Sequence, residues 1–311
     1  MAMLFHAHTF EQQTALLGTA AGFSASGILP LKPSGMRPAL FWLHPPPLVG
    51  NLANGFSGDR PVTGITLSEQ DVVNLGSTPS FEDIVACHVE KILSVQPSGP
   101  FFLGGLCLGG IVAYEAASQL RRAGHNVELV ILLDAQNPRF FRRIGSVPDE
   151  FSKAYFYLRE ALLPTQPQEL ANLRQRLHSF VTRKVIPPVQ TDGESEHVLG
   201  NAITLAAAYR YEPPAYSGNV LLLQPKHRPR GVDHLPGWKS VVTGQLIAKD
   251  VEGHHDQLLN RDVVHHVAGV ITAALQGIDS QQKSVRSSSE DAVSVLPHQK
   301  SRVQNIQLNL S

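Results

Sequence analysis

The sequence contains few cysteines, no excess charge of either sign and no long apolar run. Its two cysteines, Cys87 and Cys107, are too few for the disulfide framework of a small secreted domain or for a four-thiolate zinc site, and we expect no metal. The 26 basic side chains balance the 26 acidic ones, so the chain lacks the broad positive surface that binds nucleic acid.

Two further features are missing that would direct a protein to a membrane. The N-terminus has no basic leader followed by an apolar stretch, and a run of about 18 apolar residues occurs nowhere. We therefore expect a cytoplasmic protein with no membrane partner and no nucleic-acid partner.

Short apolar segments alternate with helical patterns along most of the chain. The clearest unit is a strand over 101–106, a helix over 109–122 and a strand over 127–133, joined by short connections. Such a crossover requires parallel strands in a sheet that helices cover on both faces. The sequence therefore predicts an α/β fold with a mostly parallel sheet. Further strands are predicted at 39–44, 61–65, 219–223 and 245–248, and further helices after Ser80 and over 262–275.

The pattern also divides the chain into regions. Residues 1–28 are predicted to be an N-terminal arm or linker, and 29–276 the folded domain. Within that domain, residues from about 138 to 210 show helical patterns broken by prolines, which is typical of a lid over a site but also of an insertion that only extends the fold. The polar, serine-rich residues 277–311 are predicted to be a disordered tail.

The connection between the first strand and the helix of this central unit is Gly105-Leu106-Cys107-Leu108-Gly109. This is the G-x-S-x-G nucleophile elbow with cysteine in place of serine. The two glycines are needed because a Cβ on either side of this tight turn would collide with the adjoining strand or helix. The turn places the sulfur at a helix N-terminus, where the helix dipole favours a thiolate. Cys87 lacks this setting and is predicted to be a small core or boundary residue.

A thiol nucleophile needs a base, and the base needs a group that orients it. Asp134 follows the strand after the elbow helix, at the edge of the sheet where active sites of open α/β sheets lie. The segment Gly253-His254-His255-Asp256 precedes the last helix, and we select His255 as the base with His254 as the alternative. The order nucleophile, acid, histidine is that of α/β hydrolases.

From about Leu29 to Leu275 the chain resembles the thioesterase domains of polyketide and nonribosomal peptide synthases. The segments that carry the resemblance are 31–45, 99–115, 130–134 and 251–259, together with Gly237-Trp238. The resemblance implies an α/β-hydrolase fold in which Asp134 is the acid, His255 the base and 138–210 the lid. It also implies an acyl or peptidyl chain that arrives on the phosphopantetheine of a carrier protein, with no cofactor bound to the enzyme.

The chain departs from the family pattern at two places. The usual serine is Cys107, so the acyl-enzyme would be a thioester, and transfer to an amine or alcohol becomes as plausible an outcome as hydrolysis. The loop after the first predicted strand normally supplies one N–H to the oxyanion hole, but Pro45, Pro46 and Pro47 have none. The expected donors are therefore Leu48 or a later residue, together with Leu108.

Two other functions compete with the thioesterase or acyltransferase. The elbow also resembles that of dienelactone hydrolases, but their acid follows a later strand, where this chain has Gln224-Pro225 and no carboxylate. A non-catalytic module that binds a carrier protein is the other alternative, which the proline-rich loop keeps open. A carrier protein needs only a local basic patch, for which Arg139, Arg142 and Arg143 are candidates unless they form no more than a solvated surface.

Overall fold

Seven strands form one sheet in the computed structural model, which describes residues 26–46, 48–76, 78–139, 203–228 and 233–294. Their order across the sheet is β1-β3-β2-β4-β5-β6-β7, and all neighbours are parallel except β1 and β3. The strands are β1 (Ile28–Lys32), β2 (Leu40–Leu43), β3 (Val62–Ile65), β4 (Phe101–Leu106), β5 (Val127–Leu133), β6 (Val220–Pro225) and β7 (Leu246–Val251). The predicted fold class, a mostly parallel sheet with helices, is confirmed.

Helices connect the strands, as parallel pairing requires. They are α1 (Val49–Gly55), α2 (Glu69–Leu75), α3 (Phe81–Val95), α4 (Leu108–Arg122), α5 (Leu235–Lys239) and α6 (Arg261–Ser294), with a further helical segment over 203–208. Ser80 caps α3 as predicted, and its side chain and that of Asp83 exchange hydrogen bonds with each other's backbone N–H. None of the helices in the described ranges is long and apolar enough to cross a membrane.

The inner strands β2, β4, β5 and β6 are almost entirely buried because helices and neighbouring strands surround them. Every residue of β2 and β6 is buried, which explains their near-continuous apolar sequences. Trp238 of α5 and Tyr114 of α4 are fully buried and pack with ring centroids 4.7 Å apart. The Trp238 Nε1–H donates to the Ala135 carbonyl at 2.7 Å, so the core also holds the segment that follows β5.

In the described residues, one strand and three α-helices were not predicted. β1 contains Pro30, which argues against a strand in the interior of a sheet, but β1 lies at the edge and its register with β3 shifts after Pro30. The helices α1, α2 and α5 are each seven residues or shorter, and patterns of this length do not show a clear period.

The ends of the domain differ from the prediction in one respect. The last helix was expected to stop near Leu275 and 277–311 to be disordered, but α6 continues to Ser294. Each residue that extends a formed helix adds one backbone hydrogen bond. A polar composition therefore does not by itself end a helix. Residues 1–25, most of the predicted lid (140–202) and 295–311 lie outside the described residues. The chain forms two compact units, Met1–Ile271, which contains the sheet, and Thr272–Ser311.

Candidate active site

The turn between β4 and α4 has the geometry of a nucleophile elbow. Cys107 is the residue before α4 and has φ 53° and ψ −115°, a conformation that is strained for any residue with a side chain. Its N–H donates to the Leu133 carbonyl at 2.9 Å, which ties the turn to the end of β5. The first N–H groups of α4 have no partner within the helix, so the sulfur lies where negative charge is stabilised.

The glycines of the elbow are required by close backbone contacts. A Cβ on Gly105 would overlap the backbone of Gly109 and Gly110 in α4, and one on Gly109 would overlap the Leu43 carbonyl at the end of β2. Gly110 is equally restricted, because a Cβ there would overlap the Ala135 side chain. The predicted reason for the two flanking glycines therefore matches the contacts, and it extends to a third glycine.

Asp134 lies directly after β5 and is buried, with φ 44°. Its N–H donates to the Leu223 carbonyl of β6 at 2.7 Å, so two neighbouring strands fix its backbone. The carboxylate accepts two hydrogen bonds, from His255 Nδ1 to Oδ2 at 2.6 Å and from His234 Nε2 to Oδ1 at 2.7 Å. Burial acts to raise the pKa of Asp134, but the two histidines outweigh it and hold that pKa well below its usual range.

His255 lies in the short 3₁₀ turn before α6 and contacts both predicted partners. Its Nδ1 is bound to Asp134, and the ring also interacts with the Cys107 side chain. Burial opposes the protonated ring, but the bonds to Asp134 and Cys107 outweigh it and raise the pKa of His255 to about 11. The Asn51 amide of α1 holds the chain just beyond this turn, donating to the Leu259 carbonyl at 3.0 Å.

His254, the alternative base, has a different environment. It is exposed and stacks against His227, with ring centroids 5.0 Å apart. The structure therefore brings together Cys107, Asp134 and His255, and leaves His254 on the surface.

His234 is a further member of this cluster that the sequence analysis did not identify. It precedes α5, is buried, and contacts Asp134 across 100 residues of sequence. The Pro236 in the first turn of α5 signals a helix start close to His234. Nothing in the sequence, however, connects this histidine to an acid so distant in the chain.

The turn between β2 and α1 lies beside the elbow. Leu48 has φ 68° and immediately precedes α1, and its N–H has no backbone acceptor among the described residues. The Val49 N–H is already used, since it donates to the Pro46 carbonyl at 3.3 Å. Leu48 therefore stays the predicted oxyanion donor of this turn. Pro47 lies outside the described residues.

Two other predicted features can be located only in part. Arg139 is half-exposed and forms an ion pair with Glu212 at 3.1 Å, whereas Arg142 and Arg143 lie outside the described residues. Within the described ranges, no group of three or more His, Cys, Asp or Glu side chains could hold a metal ion.

Comparison with known proteins identifies the family. Residues 50–275 match the thioesterase domain model. The chain is 27% identical over 297 residues to a dimodular nonribosomal peptide synthase of Bacillus subtilis (strain 168), covering 89% of this chain and 12% of the synthase. It is 36% identical over 119 residues to a non-reducing polyketide synthase of Pseudevernia furfuracea, covering 37% of this chain and 6% of that protein.

A solved structure agrees with these relatives. The NocB thioesterase domain, in covalent complex with a fluorophosphonate nocardicin G analog, is 25% identical with a TM-score of 0.53, covering 80% of this chain and 99% of that domain. The chain thus spans only a small part of the length of the synthases that it matches, and nearly all of a separate thioesterase domain. The chain belongs to the thioesterase domain family.

Proposed function

We propose that this chain takes an acyl or peptidyl chain from the phosphopantetheine thioester of a carrier protein onto Cys107, and releases it to water or to an amine or alcohol acceptor. The observation that carries the proposal is the position of His255, which contacts the Cys107 thiol and the Asp134 carboxylate at once. The synthases among the relatives, in polyketide and nonribosomal peptide biosynthesis, support a carrier-bound substrate.

The first step forms the acyl-enzyme. His255 takes the Cys107 proton, its protonated ring is stabilised by the bond to Asp134, and the sulfur attacks as the thiolate. The thiolate bonds to the thioester carbonyl carbon, and the bond from that carbon to the pantetheine sulfur breaks. The departing pantetheine thiolate takes the proton from His255. Asp134 remains ionised throughout and orients the ring through Nδ1.

The negative oxygen that develops during this step needs hydrogen-bond donors. We assign the N–H of Leu108, at the start of α4, and the N–H of Leu48 to this role. The end of β2 lies against the elbow at Gly109, which brings the two turns next to each other. Losing one such donor costs about 3 kcal/mol of transition-state stabilisation.

The second step releases the chain. Once Cys107 is acylated, its sulfur no longer carries the negative charge that favours a protonated His255. The neutral ring then removes a proton from water, an amine or an alcohol, which attacks the acyl carbon, and Cys107 leaves as the thiolate. Because the intermediate is itself a thioester, its formation from a carrier thioester is nearly isoenergetic and the acyl group stays activated. This property favours transfer to an acceptor as well as hydrolysis. No cofactor enters either step, since the phosphopantetheine belongs to the carrier protein.

The site also bears on the dienelactone-hydrolase alternative. Such an enzyme would need an acid after a later strand, and that position holds Gln224, whose side-chain oxygen accepts from the His234 N–H at 2.7 Å. Gln224 is thus occupied with the backbone and supplies no carboxylate. Asp134, by contrast, is bound to His255.

Thiol release from acyl-pantetheine surrogates tests the proposal. Wild type, Cys107→Ala and the matched Cys87→Ala variant are compared, each with no acceptor, with a primary amine and with an alcohol. Turnover in wild type and Cys87→Ala but not in Cys107→Ala supports the proposal, and products analysed by mass separate transfer from hydrolysis. Binding of a carrier protein without turnover of any surrogate would instead establish the non-catalytic module.

A further inference from the structure

We propose that His234 is a positioning residue for the Cys107–His255–Asp134 set, holding the Asp134 carboxylate in the orientation that presents one oxygen to His255. The inference rests on the proposed function, because it assigns a role within that reaction. His234 does not touch the Cys107 sulfur in this role; it acts through Asp134.

The carboxylate is held at both oxygens by different histidines. His234 Nε2 binds Oδ1 at 2.7 Å and His255 Nδ1 binds Oδ2 at 2.6 Å. An ionised carboxylate can only accept, so both ring nitrogens are donors. Rotating the carboxylate would break both charge-assisted bonds, each of which is stronger than a bond between neutral groups.

The backbone around His234 is fixed to the same part of the sheet as Asp134. The His234 N–H donates to the Gln224 side chain of β6, and Gln224 is buried. The helix that follows is bound to the segment after Asp134 at two points: Trp238 Nε1 donates to the Ala135 carbonyl at 2.7 Å, and Asn137 Nδ2 donates to the Gly237 carbonyl at 2.8 Å. Two segments that are distant in sequence are therefore connected by bonds on either side of the His234–Asp134 contact.

The two ring nitrogens of His234 have different surroundings. Its Nδ1 is buried and has no hydrogen-bond partner among the described residues, whereas its Nε2 binds Asp134 at 2.7 Å. Within the described residues, the contact with Asp134 is therefore the polar interaction through which this ring can act.

Two substitutions distinguish the effect of the hydrogen bond between His234 and Asp134 from the effect of packing by the His234 ring. Phenylalanine in His234→Phe keeps the ring volume but has no donor, whereas glutamine in His234→Gln is less similar in shape but keeps an N–H at nearly the position of Nε2. If His234 acts only by packing, His234→Phe will retain more activity than His234→Gln. If it positions Asp134, the order is reversed.

Steady-state kinetics with an acyl-pantetheine surrogate provide the test, with thermal unfolding of each variant to establish that it folds. We expect His234→Phe to lower kcat by about 10- to 100-fold, the range for a hydrogen bond to a charged group, with KM changed less than about threefold. His234→Gln should recover kcat to within about threefold of wild type.

Asp134→Asn and Cys107→Ala are measured alongside. They distinguish a failure of the role of His234 from a failure of the proposed function. If both lose activity but His234→Phe equals wild type, or exceeds His234→Gln, the inference about His234 is overturned and the proposed function stands. If Cys107→Ala keeps full activity, the proposed function fails and the role of His234 fails with it.

Discussion

The chain has two cysteines, and the surroundings of the two differ: Cys107 interacts with a histidine across the fold, whereas Cys87 is next to a histidine only in sequence. Cys107 precedes the first turn of α4 and interacts with His255, whose Nδ1 is bound to the buried Asp134 carboxylate. Cys87 lies inside α3 next in sequence to His88, whose Nδ1 is hydrogen-bonded to the Ile84 carbonyl at 3.0 Å. His88 is fully buried, and its Nε2 has no hydrogen-bond partner in the part of the chain that the structure describes.

The electrostatic outcome differs accordingly. Burial lowers the pKa of His88 to about 4, whereas the partners of His255 overcome burial and raise its pKa to about 11. Burial also raises the pKa of the Cys87 thiol, and the negative charge of Asp71 acts in the same direction. The same two side-chain types thus have opposite electrostatic surroundings in α3 and at the elbow, because the backbone position differs and only His255 is bound to a carboxylate.

Removing each thiol gives the largest expected contrast. Cys107→Ala should lower kcat with an acyl-pantetheine substrate by at least about 10⁴-fold, as loss of the nucleophile does in related triads. Cys87→Ala should stay within about twofold of wild type, because its thiol is hydrogen-bonded to the Asp83 carbonyl of its own helix and not to a member of the candidate site. A comparable loss in both variants would show that the two sites are not distinct.

The two neighbouring histidines of the 3₁₀ turn provide the next contrast. His255→Gln should lower kcat by about 10²- to 10⁴-fold, because no group then takes the Cys107 proton. His254→Gln is the matched control and should change kcat less than about twofold, since its ring is exposed and touches His227 rather than Asp134. Initial rates under saturating substrate measure both, and a larger loss in His254→Gln would reverse the assignment of the base.

His88 should make folding sensitive to acid. Its pKa is about 4 in the folded protein and 6.5 in a free histidine, so the unfolded chain binds the proton more readily. The contribution of His88 to the free energy of unfolding is therefore fully present above about pH 6.5. It is lost as the pH decreases, by about 3 kcal/mol at pH 4. Urea unfolding at several pH values, compared between wild type and His88→Leu, isolates this contribution, which should be missing in the variant. Equal pH dependence of the two proteins would contradict the assigned environment.

Glycines at the elbow and in α6 offer the smallest contrast. Gly109→Ala should destabilise the fold by about 1–3 kcal/mol, because its Cβ would overlap the Leu43 carbonyl. Gly269→Ala is the control, with no atom within 4 Å of the added Cβ, and should stabilise α6 by about 1 kcal/mol. Denaturant midpoints measure both changes. A midpoint for Gly109→Ala equal to that of wild type would contradict the overlap between the added Cβ and the Leu43 carbonyl.

The sequence predicts those parts of the molecule whose signal is local. The elbow is such a case, since a strand, a Gly-x-Cys-x-Gly turn and a helix follow each other directly and only one geometry fits them. Asp134 and His255 were predicted from their places after a strand and before the last helix, and the family resemblance strengthened the choice between His254 and His255.

What the sequence could not predict depends on contacts between distant segments. His234 has no local signature, because its partner Asp134 lies 100 residues away and the two meet only through the pairing of β5 with β6. The sequence also does not predict the conformation of Leu48. A positive φ is unexpected for leucine, and the prolines before it indicate only a stiff loop. The length of α6 depends on continuation of a formed helix, which composition does not report.

The most direct test of the central claim is to locate the acyl group on the protein. The enzyme is mixed with an acyl-pantetheine surrogate, quenched in acid within the first turnover, and analysed by intact mass and by peptide mapping that separates the two cysteines. The account predicts a single adduct on the peptide containing Cys107, missing in Cys107→Ala and slow to form in Asp134→Asn. An adduct on Cys87 at a similar rate, or turnover without any adduct on Cys107, would contradict it.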